Sequence, residues 1–238
     1  MNVVIASRMS SSRLPGKALR PMFDHLTMLD VLVHRINMAN SVTGIILATS
    51  NDESDDALGE WARQNGISCY RGSLDDVLGR LAGCLREFKL KDFVEILGDN
   101  PLVDPSDIDR CVSAYEKGEY DYVATSTTEY EYAEPTQSYP VGVRVQCLSS
   151  KLIYTASQSL LDAHSREHSS SFIYGRNHGY KTKLLHYPHE LIDGAYRLNL
   201  AVNTSVDFSR TVKTLEKCGL DAPLNTILEY LVNPNSKV

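Results

Sequence analysis

The sequence predicts an α/β fold: a mostly parallel sheet with helices on both faces and a small added β-rich arm. Three observations carry this. Short apolar runs of strand length alternate with amphipathic stretches of helix length through the first half of the chain. Such alternation requires crossover connections, and these yield parallel strands. The 238 residues suit one large domain, and no internal repeat, low-complexity tract or clear linker divides them. The second half is less regular and holds the polar, aromatic run that suggests an arm.

The elements follow in order. Val3-Val4-Ile5-Ala6 reads as a buried parallel strand, closed by a polar loop. Residues 28–39 form a helix with Leu29, Leu32, Val33 and Ile36 on one face. Residues 44–49 form a second strand. Residues 54–64 form a helix with Ser54 as N-cap and Asn65-Gly66 as its stop. Residues 67–71 are a third strand, 75–88 a helix, 93–97 a fourth strand, and 105–116 a helix that opens on proline. Residues 120–125 are a fifth strand. The run 127–140 reads as a loop or protruding arm. Beyond it, 141–147, 180–186 and 197–202 are strand-like, and 150–161, 206–218 and 224–231 are helical. Residues 233–236 read as a frayed end. The whole chain, 1–238, is taken as one domain, with 127–190 as an insertion on the arm side.

Composition narrows the function. Asp and Glu number 30 against 24 Lys and Arg, for a net charge of -6. A general nucleic-acid binder has a basic footprint, so none is expected here. An anionic partner must instead meet a local basic cluster. The five cysteines are odd in number and scattered, without a metal pattern, and read as reduced core thiols of a cytoplasmic protein. No apolar run approaches the ~20 residues of a membrane span, and the first residues lack the pattern of a signal peptide.

The basic cluster lies directly after the first strand. Between Arg8 and Arg20 stand four cations, Arg8, Arg13, Lys17 and Arg20, with no acid among them. Ligands of open α/β sheets bind outside the carboxyl ends of strands. Small residues let the backbone approach a phosphate, and guanidinium groups pair with its oxygens. The loop therefore reads as a phosphate site. It is neither a Walker A loop nor GxGxxG.

The run Ala6-Ser7-Arg8-Met9-Ser10-Ser11-Ser12-Arg13-Leu14-Pro15-Gly16-Lys17 resembles the opening loop of the cytidylyltransferases that activate acidic sugars. More closely it resembles the spore coat polysaccharide biosynthesis protein F branch, related to the CMP-Kdo and CMP-sialic/pseudaminic acid synthetases. Further segments resemble that family in its order: Arg71-Gly72-Ser73-Leu74-Asp75-Asp76-Val77-Leu78-Gly79-Arg80, Gly98-Asp99-Asn100-Pro101-Leu102-Val103-Asp104-Pro105, Arg166-Glu167-His168, and Val202-Asn203-Thr204-Ser205-Val206-Asp207-Phe208. The resemblance implies a Rossmann-like nucleotide-diphospho-sugar transferase fold and CTP as donor. It also implies a small acidic acceptor, Mg²⁺ as cofactor and a homodimer whose arm is the β-rich insertion.

The resemblance also distributes roles. Arg8, Arg13 and Lys17 would hold the leaving pyrophosphate, with Ser7 beside them and Ser12 donating its hydroxyl or capping the loop. Asp99, at the end of the fourth strand, suits an oxygen-liganded Mg²⁺, or else caps a helix or forms a turn. Asp76 and Arg80 would contact the nucleotide, or form an i,i+4 ion pair. From their position at the end of the second strand, and not from the resemblance, Thr49, Ser50 and Asn51 would line the base or ribose pocket. Arg166 and His168 fall on the acceptor side, and none of the seven histidines has metal spacing.

Four positions depart from the family pattern. Asn203 stands where a second metal-binding aspartate is usual, while the nearby Asp207 caps or pairs in the next helix. Arg144 and Gln146 replace acids, and Glu95 replaces an arginine. Either the acceptor differs, with Arg144 gripping its acidic group, or the metal site is weakened and the chain binds nucleotide without turnover. The intact basic loop and Asp99 favour the first reading. A third possibility is another nucleoside triphosphate in the same fold.

Overall fold

The computed structural model describes residues 1–160, 162–175, 179–188 and 194–233. His178, His189 and the expected frayed end from Pro234 to Ser236 lie outside them.

The sheet begins with β1 (Asn2–Ala6), flanked by β4 (Gly44–Ser50) and β6 (Asp92–Leu97), both parallel to it. Next to β4 runs β5 (Ser68–Gly72), also parallel. On the far side β8 (Gln146–Ser149) pairs antiparallel with β6 and with β7 (Tyr122–Thr125), and β9 (Thr182–Leu185) closes that edge parallel to β7. The order is β5-β4-β1-β6-β8-β7-β9. A short hairpin, β2 (Pro21–Phe23) and β3 (Leu26–Thr27), lies outside this sheet.

Alternation along the strands feeds two apolar layers. Val3 and Ile5 face one, with α1 (Met28–Asn37), α2 (Asp56–Gln64), α4 (Pro105–Tyr115), α7 (Ser205–Cys218) and α8 (Leu224–Val232). Val4 faces the other, with α3 (Val77–Glu87) and α5 (Ser150–Ser159). Helices thus cover both faces, as the sequence implies. A short α6 (Ala163–Glu167) follows α5.

Several local readings are corrected. Ser54 does not cap α2. A 3-10 turn (Glu53–Asp55) precedes that helix, and the Asp52 carboxylate accepts the Ser54 N–H at 2.9 Å. A carboxylate suits this position because it meets the positive end of the helix dipole. Residues 197–202 do not form a strand: Ala195–Arg197 is a 3-10 turn, and Asn199 makes a lone bridge to Val141. The run 127–140 does not protrude. Tyr130 and Tyr139 are buried, Tyr139 N–H donates to Ser126 O at 2.6 Å, and Tyr130 Oη meets Tyr122 Oη at 2.6 Å. Burying two large rings with their hydroxyls bonded outweighs what exposure would give such a polar loop. Residues 127–190 also supply β8 and β9 to the main sheet.

Tyr139 Oη donates to Asp107 Oδ1 at 2.5 Å on α4, where Asp107 is 3% exposed. Burial pushes its carboxyl up to about 6, against the pull of Tyr139 and Arg110. The folded carboxyl thus titrates above the unfolded one. Its ionisation costs nothing below about pH 4 and its full amount above about pH 6. Asp107→Asn should therefore match the wild type in acid and gain on it as the pH rises through this window, by about 2–3 kcal/mol at most. Thermal unfolding of both proteins from pH 4 to 8 reads the difference, and a constant offset would refute the assignment.

Candidate functional site

The topology places the site. Strand order reverses at β1, whose neighbours on either side are β4 and β6, and a crevice opens beyond the carboxyl ends at such a point. Ala6 is in register with Leu97, so Ser7 and Gly98 leave the sheet side by side. Gly98 N–H donates to Ala6 O at 2.9 Å, and a Cβ on Gly98 would lie 2.6 Å from the Ser7 Cβ. Only glycine permits this approach.

The loop after β1 is a closed ring. Met9 O accepts the N–H groups of Ser11 (2.9 Å) and Gly16 (3.0 Å). Gly16 turns the chain with φ 73°, a left-handed conformation that glycine adopts without strain. Ser11, Ser12 and Arg13 sit on this ring, and Lys17 follows in a single 3-10 turn. Lys17 Nζ donates to Val202 O at 2.7 Å and lies 3.4 Å from Asp99 Oδ2. Val202 N–H donates to Asp99 O at 2.9 Å, which brings Asn203 beside Asp99.

These elements enclose an open cavity of about 280 Å³. Of the residues singled out from sequence, Ser7, Arg8, Ser12, Arg13, Lys17, Arg80, Asp99, His168 and Asn203 line it. Ser11 and Glu167 also line it, and the sequence reading assigned neither a role. Arg8 spans its mouth, donating to Leu74 O at 3.4 Å and reaching Glu167 Oε1 at the same distance. Arg80 is buried and donates to Ser73 O and Leu74 O. Burial and then the Arg8 charge pull its pKa down, while Asp55 and Asp76 oppose them. Arg13 is exposed, with no hydrogen bond or ion pair among the described residues.

Other expected residues fall outside the cavity lining. Thr49 and Ser50 are fully buried, and their hydroxyls donate to Asp55 Oδ2, so the end of β4 serves structure instead of the base pocket. Asp76 and Arg80 do not pair. Asp76 caps α3 through Gly79 N–H (2.8 Å) and meets Arg166 at 3.1 Å. Arg166 is spent on that contact and on Ser157 O. Asp207 closes a capping box with Thr204 and pairs with Arg210.

Arg144 and Gln146 are also buried outside the cavity lining, and Gln146 bonds Glu95. Gln146 Nε2 donates to Glu95 Oε2 at 3.2 Å, Ser169 Oγ donates to Glu95 Oε1 at 2.5 Å, and Arg144 pairs with Glu129 at 2.8 Å. Burial pushes the Glu95 carboxyl up, against the Ser169 hydrogen bond and the Arg144 charge.

A mostly parallel sheet with a cationic ring and a carboxylate facing across its switch point defines a nucleotidyltransferase. Solved structures share the architecture. A cytidylyltransferase from Leptospira borgpetersenii superposes with TM-score 0.83 at 22% identity, over all of this chain and 98% of its own. A CMP:2-keto-3-deoxy-manno-octonic acid synthetase complexed with CTP does so with TM-score 0.60 at 17% identity, over 90% of this chain and 97% of its own. The chain belongs to the cytidylyltransferase family, whose sequence profile matches residues 2–186. The spore coat polysaccharide biosynthesis protein SpsF of Bacillus subtilis is 29% identical over 91% of this chain and 86% of its own. An 8-amino-3,8-dideoxy-manno-octulosonate cytidylyltransferase of Shewanella sediminis is 33% identical over 49% of each chain.

Proposed function

We propose that this enzyme transfers the CMP unit of CTP to an acidic sugar and releases pyrophosphate, in the synthesis of a surface polysaccharide. The observation that carries the reading is the ring of Ser12 and Arg13, with Arg8 and Lys17, facing Asp99 across one cavity. The names of the relatives support the acceptor class and the pathway.

In the reaction an acceptor oxygen attacks the α-phosphorus, and the bond to the β,γ-pyrophosphate breaks. Such transfer is mostly positioning and charge stabilisation. Arg8, Arg13 and Lys17 meet the charge that grows on the leaving group. The ring N–H groups and the Ser12 hydroxyl orient its oxygens. Asp99 and Asn203 fit Mg²⁺ as a partial donor set of one carboxylate and one amide, completed by phosphate and water oxygens. Held there, the metal would supply positive charge against the triphosphate. His168 and Glu167 border the acceptor side. The resemblance further supports a cytoplasmic homodimer, with 127–190 at the subunit contact and acceptor side.

The test is pyrophosphate release with each of the four nucleoside triphosphates against a panel of 3-deoxy-ulosonic acids. Release is expected with CTP and an acidic sugar; release with another triphosphate alone would overturn the base assignment.

Asn203 favours a second reading, a nucleotide binder with a weakened metal site. The two separate on Asn203→Asp. If Asn203 holds the metal, the added carboxylate should lower half-saturating Mg²⁺ about tenfold, roughly 1.4 kcal/mol. Turnover already present in the wild type supports the enzyme; turnover gained only in the variant supports the binder. An unchanged Mg²⁺ dependence removes Asn203 from the metal site.

A further inference from the structure

Outside the cavity, a buried carboxylate ties the basic ring to the sheet. Asp55, in the 3-10 turn before α2, is 0% exposed and carries a carboxylate with no cation bonded to it among the described residues. Its Oδ1 accepts Met9 N–H at 2.6 Å. Its Oδ2 accepts Thr49 Oγ1 (3.0 Å), Ser50 N–H (3.0 Å) and Ser50 Oγ (2.5 Å). Met9 is the hub of the ring, because its carbonyl takes both bonds that close it. The neighbouring residue, Arg8, lines the cavity and reaches Glu167. One buried carboxylate therefore joins the end of β4 to the pivot of the ring.

We infer that Asp55 is a positioning residue for the nucleotide: it sets the ring's N–H groups, Arg8 and Arg13 in their phosphate-binding geometry before the triphosphate arrives. This deepens the reading above and rests on it. A carboxylate does this where a neutral group would not. It accepts two backbone N–H bonds and two hydroxyls at once, whereas asparagine offers one oxygen and brings an N–H against Ser50 N–H. Its negative charge is also felt by Arg80, whose charged form it favours. A preorganised ring costs little to order on binding, and a loose one must be ordered at the ligand's expense.

The test compares three proteins by titration with CTP and Mg²⁺, and separately with inorganic triphosphate. Asp109 supplies the control. It lies on α4 at the opposite end of the sheet, where its carboxylate accepts Asn40 N–H and Nδ2 and Ser41 N–H and Oγ. Asp109→Asn therefore perturbs a similarly bonded carboxylate away from the cavity. Asp55→Asn is expected to weaken both ligands about tenfold or more, the scale of a buried hydrogen bond left unmade, while Asp109→Asn binds like the wild type. In turnover the loss should fall on the KM for CTP more than on kcat.

Wild-type amide exchange gives a second readout should Asp55→Asn fail to fold. Met9 N–H should exchange slowly in the free protein. Ser12 N–H, with no partner among the described residues, should exchange fast and slow on adding CTP. Equal affinity of Asp55→Asn and wild type, equal loss in both variants, or Met9 exchanging as fast as Ser12 would each overturn the inference. Failure of the wild type itself to bind CTP would instead overturn the functional reading, and this inference with it.

Discussion

Replacing Arg13 with alanine is expected to lower pyrophosphate release by about 10³, by analogy with guanidinium groups that stabilise phosphoryl transfer. The reason is geometric. Arg8 is already engaged with Leu74 O and Glu167, and Lys17 with Val202 O and Asp99. Arg13 stands exposed on the same ring without a partner among the described residues. Its whole charge is available to a ligand, and its removal breaks nothing in the free protein. The melting temperature of Arg13→Ala should thus stay within the small range of ordinary surface substitutions, while kcat/KM for CTP collapses. Arg13→Lys should recover only part of the rate, because an ammonium keeps the charge but not the planar fork. Full activity in Arg13→Ala would remove this residue from the phosphate site and leave the ring without its free cation.

Strands β1, β4 and β6 were legible because they are largely buried. Val3-Val4-Ile5 feeds both apolar layers, so the run is continuously apolar and short, as a buried parallel strand is. The second half was harder. Tyr130 and Tyr139 sit in a run of glutamates and polar residues, and only their tertiary partners, Tyr122 and Asp107, reveal that they are buried. The hairpin β2-β3 has strands of three and two residues, too short to show a period.

The site divided in the same way. Arg8, Arg13, Lys17 and Asp99 were legible as neighbours because they sit in loops at strand ends, and the structure gathers them around one cavity. Thr49, Asp76 and Arg166 follow equally plausible strand ends and helix starts, yet their polar groups are spent inside the protein. Asp55 escaped notice because a single aspartate before a helix looks like an ordinary cap. Glu95, Arg144 and Gln146 looked like three separate departures. The structure joins them: Glu95 is in register with Gln146, which bonds it, and feels the charge of Arg144. All three are buried and outside the cavity lining, so these departures belong to the protein interior. Asn203 is the departure that lines the cavity.

Asp99→Asn is the companion experiment to Arg13→Ala, and its expected effect is nearly as large. The substitution keeps the size of the side chain and removes one negative charge at the carboxyl end of β6. Lys17 does not depend on that charge for its place, because its stronger contact is the 2.7 Å bond to Val202 O, against 3.4 Å to Asp99. The backbone link from Val202 N–H to Asp99 O is also untouched. The variant should therefore fold and keep its cationic ring, while losing the carboxylate of the metal donor set. Turnover should fall by about 10²–10³, the scale of losing one group aimed at transition-state charge, with the half-saturating Mg²⁺ concentration rising. Binding of CTP without metal should be preserved or slightly improved, since one anion facing the triphosphate is gone. Those two opposite signs distinguish a metal ligand from a residue that merely orients lysine. If Asp99 served only to orient Lys17, metal-free CTP binding would weaken and the Mg²⁺ dependence would not move.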